Sequence, residues 1–143
     1  MKSRLLCLSL LFVQMACLPT PAPAEEVHTP AVGTGERKAI MDGMRNWVLR
    51  QHQIEAIFVV NALLVKDGYA WVNVNPQSPD GSAQYEPLSG VLKLDGGVWR
   101  MVFPDPAVEL SVGENLSEAA ARAKANEILL QQVPGIPREL VPR

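Results

Sequence analysis

The sequence predicts an α+β fold in which an N-terminal helix packs on a four-stranded antiparallel sheet and a second helix lies near the C-terminus. Three observations support this prediction. Apolar residues recur at helical spacing in residues 34–51, and residues 57–103 contain four apolar runs that turn back in pairs at Asp67-Gly68 and Gly96-Gly97. Residues 116–132 are rich in alanine, which has the highest helix propensity. We expect the strands to lie in sequence order.

The first 24 residues have the organisation of a secretory signal peptide. A basic start with Lys2 and Arg4 precedes an apolar run at 5–13, and Ala22-Pro23-Ala24 presents the small residues that signal peptidase accepts. We therefore expect an exported protein, periplasmic or secreted after cleavage near Ala24. No integral membrane span is expected, because a span needs roughly 20 apolar residues.

Both cysteines, Cys7 and Cys17, lie within this segment. The mature chain would then have no disulfide and no cysteine ligand for a metal, which fits a bacterial envelope protein. A lipid anchor at Cys17 is the alternative to cleavage near Ala24, because a small residue, Ala16, precedes that cysteine. Gln14 argues against the anchor, because an aliphatic residue usually occupies the position three residues before the cysteine of a lipoprotein site.

The charge balance argues against nucleic acid as a partner. The formal net charge is −2 at pH 7, and it becomes about −4 once Lys2 and Arg4 are removed. The remaining basic residues are scattered singly, so no surface is expected to attract a polyanion.

The remaining chain is expected to form one domain with two irregular ends. Residues 25–34 show no hydrophobic period and should be a flexible lead-in. Residues 35–133 should form the single α+β domain, and residues 134–143 a Pro-rich tail, because proline cannot continue a helix.

The first helix should begin after Thr34, which can act as an N-cap, with Glu36 at the positive end of the helix dipole. One face of this helix should pack on the sheet. That face is predicted to contain Ile40, Met44, Trp47, Val48 and Gln51.

The hairpin at 57–75 is the centre of the predicted sheet. A two-residue type I′ turn at Asp67-Gly68 would set its register. The expected pairs are Lys66 with Tyr69, Leu64 with Trp71, Leu63 with Val72, and Asn61 with Val74. The face toward the helix is expected to carry Ile57, Val59, Leu63, Val65, Ala70, Val72 and Val74.

A second hairpin is predicted at 88–103, after an irregular loop at 76–82. With Gly96-Gly97 as its turn, the expected pairs are Leu94 with Trp99, Leu92 with Met101, and Lys93 with Arg100. The C-terminal helix should then run from Leu116 to Gln132. Its apolar side is predicted to comprise Leu116, Ala120, Ala123, Ile128 and Leu130.

Residue patterns predict neither catalysis nor metal binding. His28 and His52 lack further ligands at the spacing that a metal site requires, and no serine lies in a nucleophile elbow. Four acidic residues fall in loops, where carboxylates are usually solvated: Asp80, Glu86, Asp95 and Asp105. We therefore expect a protein that is not an enzyme and that carries no metal and no cofactor.

The other face of the first hairpin is the best candidate for a binding site. Tyr69, Trp71, Asn73 and Asn75 alternate along one strand and should project in the same direction. Aromatic rings beside amide groups are typical of surfaces that contact partners or flat ligands. Alternatively, the C-terminal helix or the tail covers this stripe and makes it a second small core.

Three segments of the chain resemble a group of small exported bacterial proteins without an assigned activity. The segments are Gly35 to Arg45, Asp67 to Gly81 and Gly96 to Val102. They are similar to the "ERKAI-D-R" helix, the "W-A-F-V" strand with its "P-Q-x-P-D-G" loop, and the "G-x-W-x-V" strand of that group. In this chain Tyr69-Ala70-Trp71 replaces the usual Trp-Ala-Phe. The resemblance implies an envelope location and a helix-on-sheet domain, and it supplies no catalytic residues.

The leading functional hypothesis is a non-enzymatic periplasmic binding or interaction module for an unknown envelope protein. An inhibitor or an immunity-type protein is one form that it could take. The first alternative is a carrier of a small ligand, with a pocket between helix and sheet. The second is a carboxylate-dependent hydrolase, which would need two loop acids facing each other across a cleft.

Overall fold

One antiparallel sheet with helices on both sides forms the fold, which confirms the predicted α+β class. The computed structural model describes residues 24–143, so the predicted signal peptide, apart from Ala24, and Cys17 lie outside the described residues. The elements are helix α1 (Gly35–His52), strands β1 (Ile57–Lys66), β2 (Tyr69–Gln77), β3 (Leu88–Asp95) and β4 (Val98–Pro104), helices α2 (Ala107–Gly113) and α3 (Glu118–Gln132), and a 3-10 turn at Arg138–Leu140. The strand order is β1-β2-β3-β4, as expected. Within residues 24–143, no helix combines the length and the apolar character that a membrane crossing requires.

Helix α1 begins and ends with specific caps. The Thr34 hydroxyl accepts a hydrogen bond from the Arg37 amide at 3.3 Å, and Gln53 adopts a left-handed conformation with φ 56° and donates its amide to the Leu49 carbonyl. The buried residues of α1 are Ile40, Met41, Gly43, Met44 and Val48.

The buried face of α1 is therefore shifted from the predicted one. Trp47 is only half-buried and Gln51 is exposed. The reason is Gly43, where a Cβ atom would lie 2.5 Å from the Trp99 carbonyl oxygen. This close approach turns the Gly43 side of α1 toward β4.

Both hairpin turns have the geometry that their sequences predict. Asp67 and Gly68 have φ values of 49° and 74°, and Gly96 and Gly97 have values of 55° and 79°, as a type I′ turn requires. The pairs next to the turns are confirmed: Lys66 with Tyr69, Leu64 with Trp71, Leu63 with Val72, Leu94 with Trp99, Leu92 with Met101, and Lys93 with Arg100.

The register of β1 changes at Asn61, so the predicted pair of Asn61 with Val74 is wrong. Val60 pairs with Val74 and Ala62 with Asn73, which leaves Asn61 as the extra residue of a bulge. An extra residue exchanges the two faces of the strand beyond it.

Because of this bulge, the predicted helix-facing side of β1 is wrong in the first part of the strand. Ile57 and Val59 were expected to face α1, but they lie on the other side and are 43% and 48% exposed. Phe58 and Val60 pack against the helix-side core in their place. That core is composed of Ile40, Met41, Met44, Leu63, Val65, Ala70, Val72, Val74, Leu92 and Trp99.

A second core fills the opposite side of the sheet. Helix α3 supplies Leu129, and the segment after it supplies Val133, Ile136 and Leu140. These side chains pack on sheet residues that include Trp71, Val91 and Phe103. Residues 134–143 thus contribute buried side chains, each worth about 1.5–3 kcal/mol for a fully buried aliphatic residue.

Helix α3 packs on this core with a different face from the predicted one. It begins at Glu118, with the Ser117 hydroxyl accepting from the Ala120 amide at 3.3 Å. Its buried residues are Ala121, Ala125 and Leu129, whereas Ala120 and Ala123 are exposed and Leu130 is 39% exposed. Of these residues, Leu129 belongs to the second core, whereas the helix itself packs closely with α2.

Two further segments have structure that the sequence patterns did not predict. Helix α2 follows β4 and is short. In the lead-in, His28 forms an antiparallel bridge with Val65, with N···O distances of 3.0 and 2.8 Å. The lead-in therefore covers one rung of the open edge of β1.

Candidate functional site

The predicted aromatic stripe is largely covered by the C-terminal segment. Trp71 is 8% exposed and belongs to the second core, and Tyr69 is half-buried at its margin. A Cβ atom on Gly135 would lie 2.8 Å from the Tyr69 hydroxyl, so the chain after α3 passes directly over this ring. Of the two interpretations of the stripe, the structure supports the covered one for Trp71.

The asparagines of the stripe interact with one another. Asn61 Nδ2 donates to Asn73 Oδ1 at 2.8 Å and to Asn75 Oδ1 at 3.1 Å, and Asn73 Nδ2 donates to Ser89 Oγ at 2.6 Å. Asn73 and Asn75 are half-buried. Their amide groups stabilise the bulge, because they satisfy the polar side chain that the bulge places on this face.

A pocket of about 490 Å³ lies where α1 ends and three strand ends meet, and we call it the helix-end pocket. Its volume falls within the range of about 300–1,000 Å³ that is typical of small-molecule sites. The strands contribute an apolar floor: Pro76 from the end of β2, Leu88 from the start of β3 and Pro104 from the end of β4. All three lie at the same end of the sheet because the strands alternate in direction.

Helix α1 provides the first wall of the pocket. Trp47, Val48 and His52 line it, and Ile54 follows just after the helix. The rings of Trp47 and His52 meet edge to face, with centroids 5.6 Å apart and an interplanar angle of 72°. The contact fixes the orientation of the half-buried indole at the pocket surface.

The β2–β3 loop provides the second wall, with Tyr85, Glu86 and Pro87. Its base is closed by the hydrogen bond from the Tyr85 amide to the Pro76 carbonyl at 2.9 Å and by the bridge of Gln77 with Gln84. These bonds hold Tyr85 next to the end of β2.

The tip of this loop is organised by Asp80. Its carboxylate accepts from Ser78 Oγ at 2.5 Å, from Ser82 Oγ at 2.8 Å and from the Ser82 amide at 3.1 Å. These bonds, led by that from Ser78, lower the pKa of Asp80 to about 2. The predicted turn residues of the "P-Q-S-P-D-G" segment thus serve to shape the loop that carries Tyr85.

A charged group lies at the back of the pocket. Asp105 follows β4 and its side chain is only 3% exposed, with Oδ2 2.6 Å from Arg122 Nη1 and Oδ1 3.2 Å from the Ala107 amide. The Arg122 guanidinium carbon lies 6.0 Å from the centre of the Trp71 ring. The ion pair therefore joins the pocket to the second core.

Two other carboxylates, Glu86 and Glu109, lie at the pocket mouth and are exposed. Within residues 24–143 neither forms an ion pair, whereas Asp105 is paired with Arg122. Among the described residues that line the pocket, His52 is the one basic residue. The mouth therefore has a net negative character.

A second and larger cleft, of about 800 Å³, lies between α2 and α3. Two of its lining residues, Val108 and Val112, are 64% and 80% exposed, so this cleft is a shallow surface groove. The helix-end pocket is the better candidate site because the aromatic side chains of Trp47 and Tyr85 line it, whereas the groove has no aromatic lining residue among those that the structure describes.

The sequence allowed a pocket between helix and sheet as an alternative, but it did not predict which residues would line it. Glu86 and Asp105 were expected to be solvated loop acids, which is wrong for Asp105, because its side chain is 3% exposed and paired with Arg122. The available signal was the placement of Pro76, Pro87 and Pro104 at strand ends that an antiparallel sheet brings together. No cluster of three or more potential metal ligands is present among the residues that the structure describes.

Comparison with known proteins gives no relative from which a function could be transferred. No family model matches the chain, and neither the curated proteins nor the solved structures give a match.

Proposed function

We propose that this protein is a non-enzymatic binding protein of the bacterial envelope that holds a small organic ligand in the helix-end pocket. The observation that carries this proposal is the pocket of about 490 Å³ between α1 and the end of the sheet. Ligand sites usually have largely apolar walls and a few polar groups that orient the ligand, and this pocket has that composition.

The structure favours this ligand over a protein partner at the aromatic stripe. Trp71 is 8% exposed, so a partner could contact it only after the C-terminal segment moves away. Trp47 and Tyr85 instead present aromatic side chains to a cavity in the folded protein. The proposal therefore corresponds to the small-ligand carrier, the first alternative from the sequence, and its site lies at the other end of the sheet from the stripe.

Native mass spectrometry of the protein purified from its own host tests the proposal. The wild type should carry an added mass of a small molecule, and Trp47→Ala and Tyr85→Ala should lose it while keeping the circular dichroism spectrum of the wild type. Val112→Ala, in the groove between α2 and α3, is the matched control and should retain the mass. An apo mass for the wild type across growth conditions would contradict the proposal.

A carboxylate-dependent hydrolase is the second candidate, because Glu86, Asp105 and Glu109 all line one pocket. The ion pair with Arg122 occupies Asp105, which leaves Glu86 and Glu109 for acid and base roles. If this candidate holds, the wild type should hydrolyse chromogenic glycosides, and Glu86→Gln or Glu109→Gln should abolish turnover. Absence of glycoside turnover by the wild type would reject a glycoside hydrolase, the carboxylate-dependent activity that this pair of acids fits.

The envelope location rests on the composition of residues 1–24. The intact mass of the protein from a periplasmic extract should correspond to a chain that begins at Glu25. A membrane-bound form with a lipid mass on Cys17 would support the anchored alternative instead.

A further inference from the structure

We infer that the ligand of the helix-end pocket is an organic cation with an apolar body, such as an arylalkylamine. This inference rests on the proposed function, since it names the class of ligand for the same pocket. Three features of the pocket lead to it: two carboxylates without an ion-pair partner among residues 24–143, two aromatic rings without a protein cation over them in the same residues, and an apolar floor.

The charges of the lining favour a positively charged ligand. Asp105 is neutralised by Arg122 at 2.6 Å, but Glu86 and Glu109 have no ion-pair partner among residues 24–143. A ligand ammonium group near the mouth would gain from both carboxylates, whereas a carboxylate or phosphate would be repelled. Electrostatic complementarity of this kind selects a ligand by charge and also speeds its association.

Trp47 and Tyr85 are half-buried rings that line the pocket. Three rings of the sheet have a protein cation beside them: the Arg45 guanidinium carbon lies 5.9 Å from the centre of the Phe58 ring, Lys93 Nζ lies 5.5 Å from that of Tyr69, and the Arg122 guanidinium carbon lies 6.0 Å from that of Trp71. The other two rings of the sheet, Trp99 and Phe103, are buried. In the part of the chain that the structure describes, no Lys or Arg lies over the ring of Trp47 or Tyr85. A ligand cation can therefore use these two ring faces, and tryptophan is the strongest aromatic partner for a cation.

The floor requires the rest of the ligand to be apolar. Pro76, Leu88 and Pro104 offer no side-chain hydrogen-bond donor, and Val48 and Ile54 extend this surface along α1. A polyamine or a sugar would leave polar groups against this floor without partners, at a cost in affinity. A single ammonium group attached to an aryl or alkyl body satisfies the mouth and the floor together.

Three probes that share a phenylalkyl body test the inference: phenethylamine as the cation, 2-phenylethanol as the neutral molecule and 3-phenylpropionate as the anion. Each is titrated into the mature protein at pH 7, and the indole N–H signal of Trp47 is followed by ¹H–¹⁵N NMR. Phenethylamine should bind at least about tenfold more tightly than 2-phenylethanol, and 3-phenylpropionate should bind most weakly. A tenfold difference corresponds to about 1.4 kcal/mol.

Charge variants show whether the carboxylates cause the preference. The double variant Glu86→Gln/Glu109→Gln should reduce the preference for the cation to less than about threefold. Glu118→Gln/Glu127→Gln makes the same change of net charge on α3 and should keep the full preference. An equal loss in both double variants would overturn the role of the pocket acids.

The outcomes separate this inference from the proposed function. If the neutral or the anionic probe shifts Trp47 with the same affinity as the amine, the preference for a cation is overturned and the pocket still stands as a ligand site. If no probe shifts Trp47 but the host-purified protein carries a small-molecule mass that Trp47→Ala loses, the ligand is of another class. If there is neither a shift nor an added mass, both proposals are overturned.

Discussion

Trp47 and His52 meet edge to face on the last turns of α1, with ring centroids 5.6 Å apart, and both rings line the helix-end pocket. This relationship places an aromatic surface at the end of α1 that lies beside the β2–β3 loop. The other end of α1 is occupied by the lead-in, through the contact of His28 with Glu36 at 2.9 Å. One end of α1 therefore lines the pocket, and the other end binds the lead-in.

The close packing of α1 on the sheet predicts that Gly43→Ala is destabilising. The added Cβ atom would lie 2.5 Å from the Trp99 carbonyl oxygen and 3.0 Å from Leu92 Cδ2, so the helix must move away from β4. We expect a loss of about 1–3 kcal/mol in the free energy of unfolding, as for other overpacked cores. Chemical denaturation measures it.

Gly35→Ala is the matched control for that substitution. Gly35 is at the start of α1 and an added Cβ would meet no atom within 4 Å. This variant should be neutral or slightly more stable, because alanine favours the helix. Equal losses for the two variants would show that the contact with Trp99 is not the cause.

The two tryptophans Trp71 and Trp47 should respond differently to truncation. Trp71 is 8% exposed in the second core, so Trp71→Ala should cost about 3–5 kcal/mol of unfolding free energy. Trp47 is half-buried at the pocket, and Trp47→Ala should cost less than about 2 kcal/mol. A Trp71→Ala protein as stable as the wild type would contradict a core role for Trp71 and would favour a contact surface formed by Tyr69 and Trp71.

The loop that carries Tyr85 should depend on the Asp80 carboxylate. Asp80→Ala removes three hydrogen bonds, so the amide of Ser82 should exchange faster with solvent and ligand affinity in the helix-end pocket should fall several-fold. Asp95→Ala is the control, because Asp95 is the exposed last residue of β3, at the opposite end of the sheet from this loop. Unchanged Ser82 exchange in Asp80→Ala would contradict the prediction.

Acid should affect the same loop. The pKa of Asp80 is lowered to about 2. The carboxylate therefore stabilises the loop in full at pH values above 3.8, the ordinary pKa of an aspartate. That contribution is lost as the pH falls through about 2. We expect the Asp80 carboxyl signal to titrate near pH 2 by NMR, together with the amide of Ser82. A midpoint at the ordinary value would contradict the prediction.

Attachment of the lead-in should weaken at alkaline pH. The hydrogen bond to Glu36 raises the pKa of His28 above 6.5, and the nearby Glu25 carboxylate acts in the same direction. The stabilisation is therefore complete below pH 6.5 and is lost as the pH rises through the higher folded-state pKa. Protection of the Val65 amide, corrected for intrinsic exchange, should decrease over that range in the wild type but not in His28→Gln. The same pH dependence in both proteins would exclude His28 as its origin.

The strand pairs that the sequence predicts correctly are those next to the two hairpin turns. Asp67-Gly68 and Gly96-Gly97 adopt positive φ values that few residue pairs allow, so the pairs beside them follow from the sequence. The predicted register is wrong beyond Asn61, because the position of a bulge depends on side-chain packing on both faces of the sheet. Here it brings Phe58 to the helix side, where it also contacts Arg45 at 5.9 Å.

The cover of the aromatic stripe and the helix-end pocket depend on contacts between residues distant in the chain. The alternation of Tyr69 and Trp71 predicts that they share a face. The residues that cover them are Leu129 of α3 and Ile136 and Leu140 after it, and no local pattern predicts that this segment returns to the sheet. Likewise, Trp47 and Tyr85 come together only because α1 and the β2–β3 loop end at the same side of the sheet. No local period or motif encodes such a meeting.

Ligand binding in the helix-end pocket is tested most directly by the structure of the protein purified from its own host. We predict density for a small molecule in the helix-end pocket, in contact with Trp47 and Tyr85 and with a charged group directed toward Glu86 or Glu109. An ordered small molecule bound only in the groove between α2 and α3, or an empty helix-end pocket in protein whose native mass includes a ligand, would contradict the account.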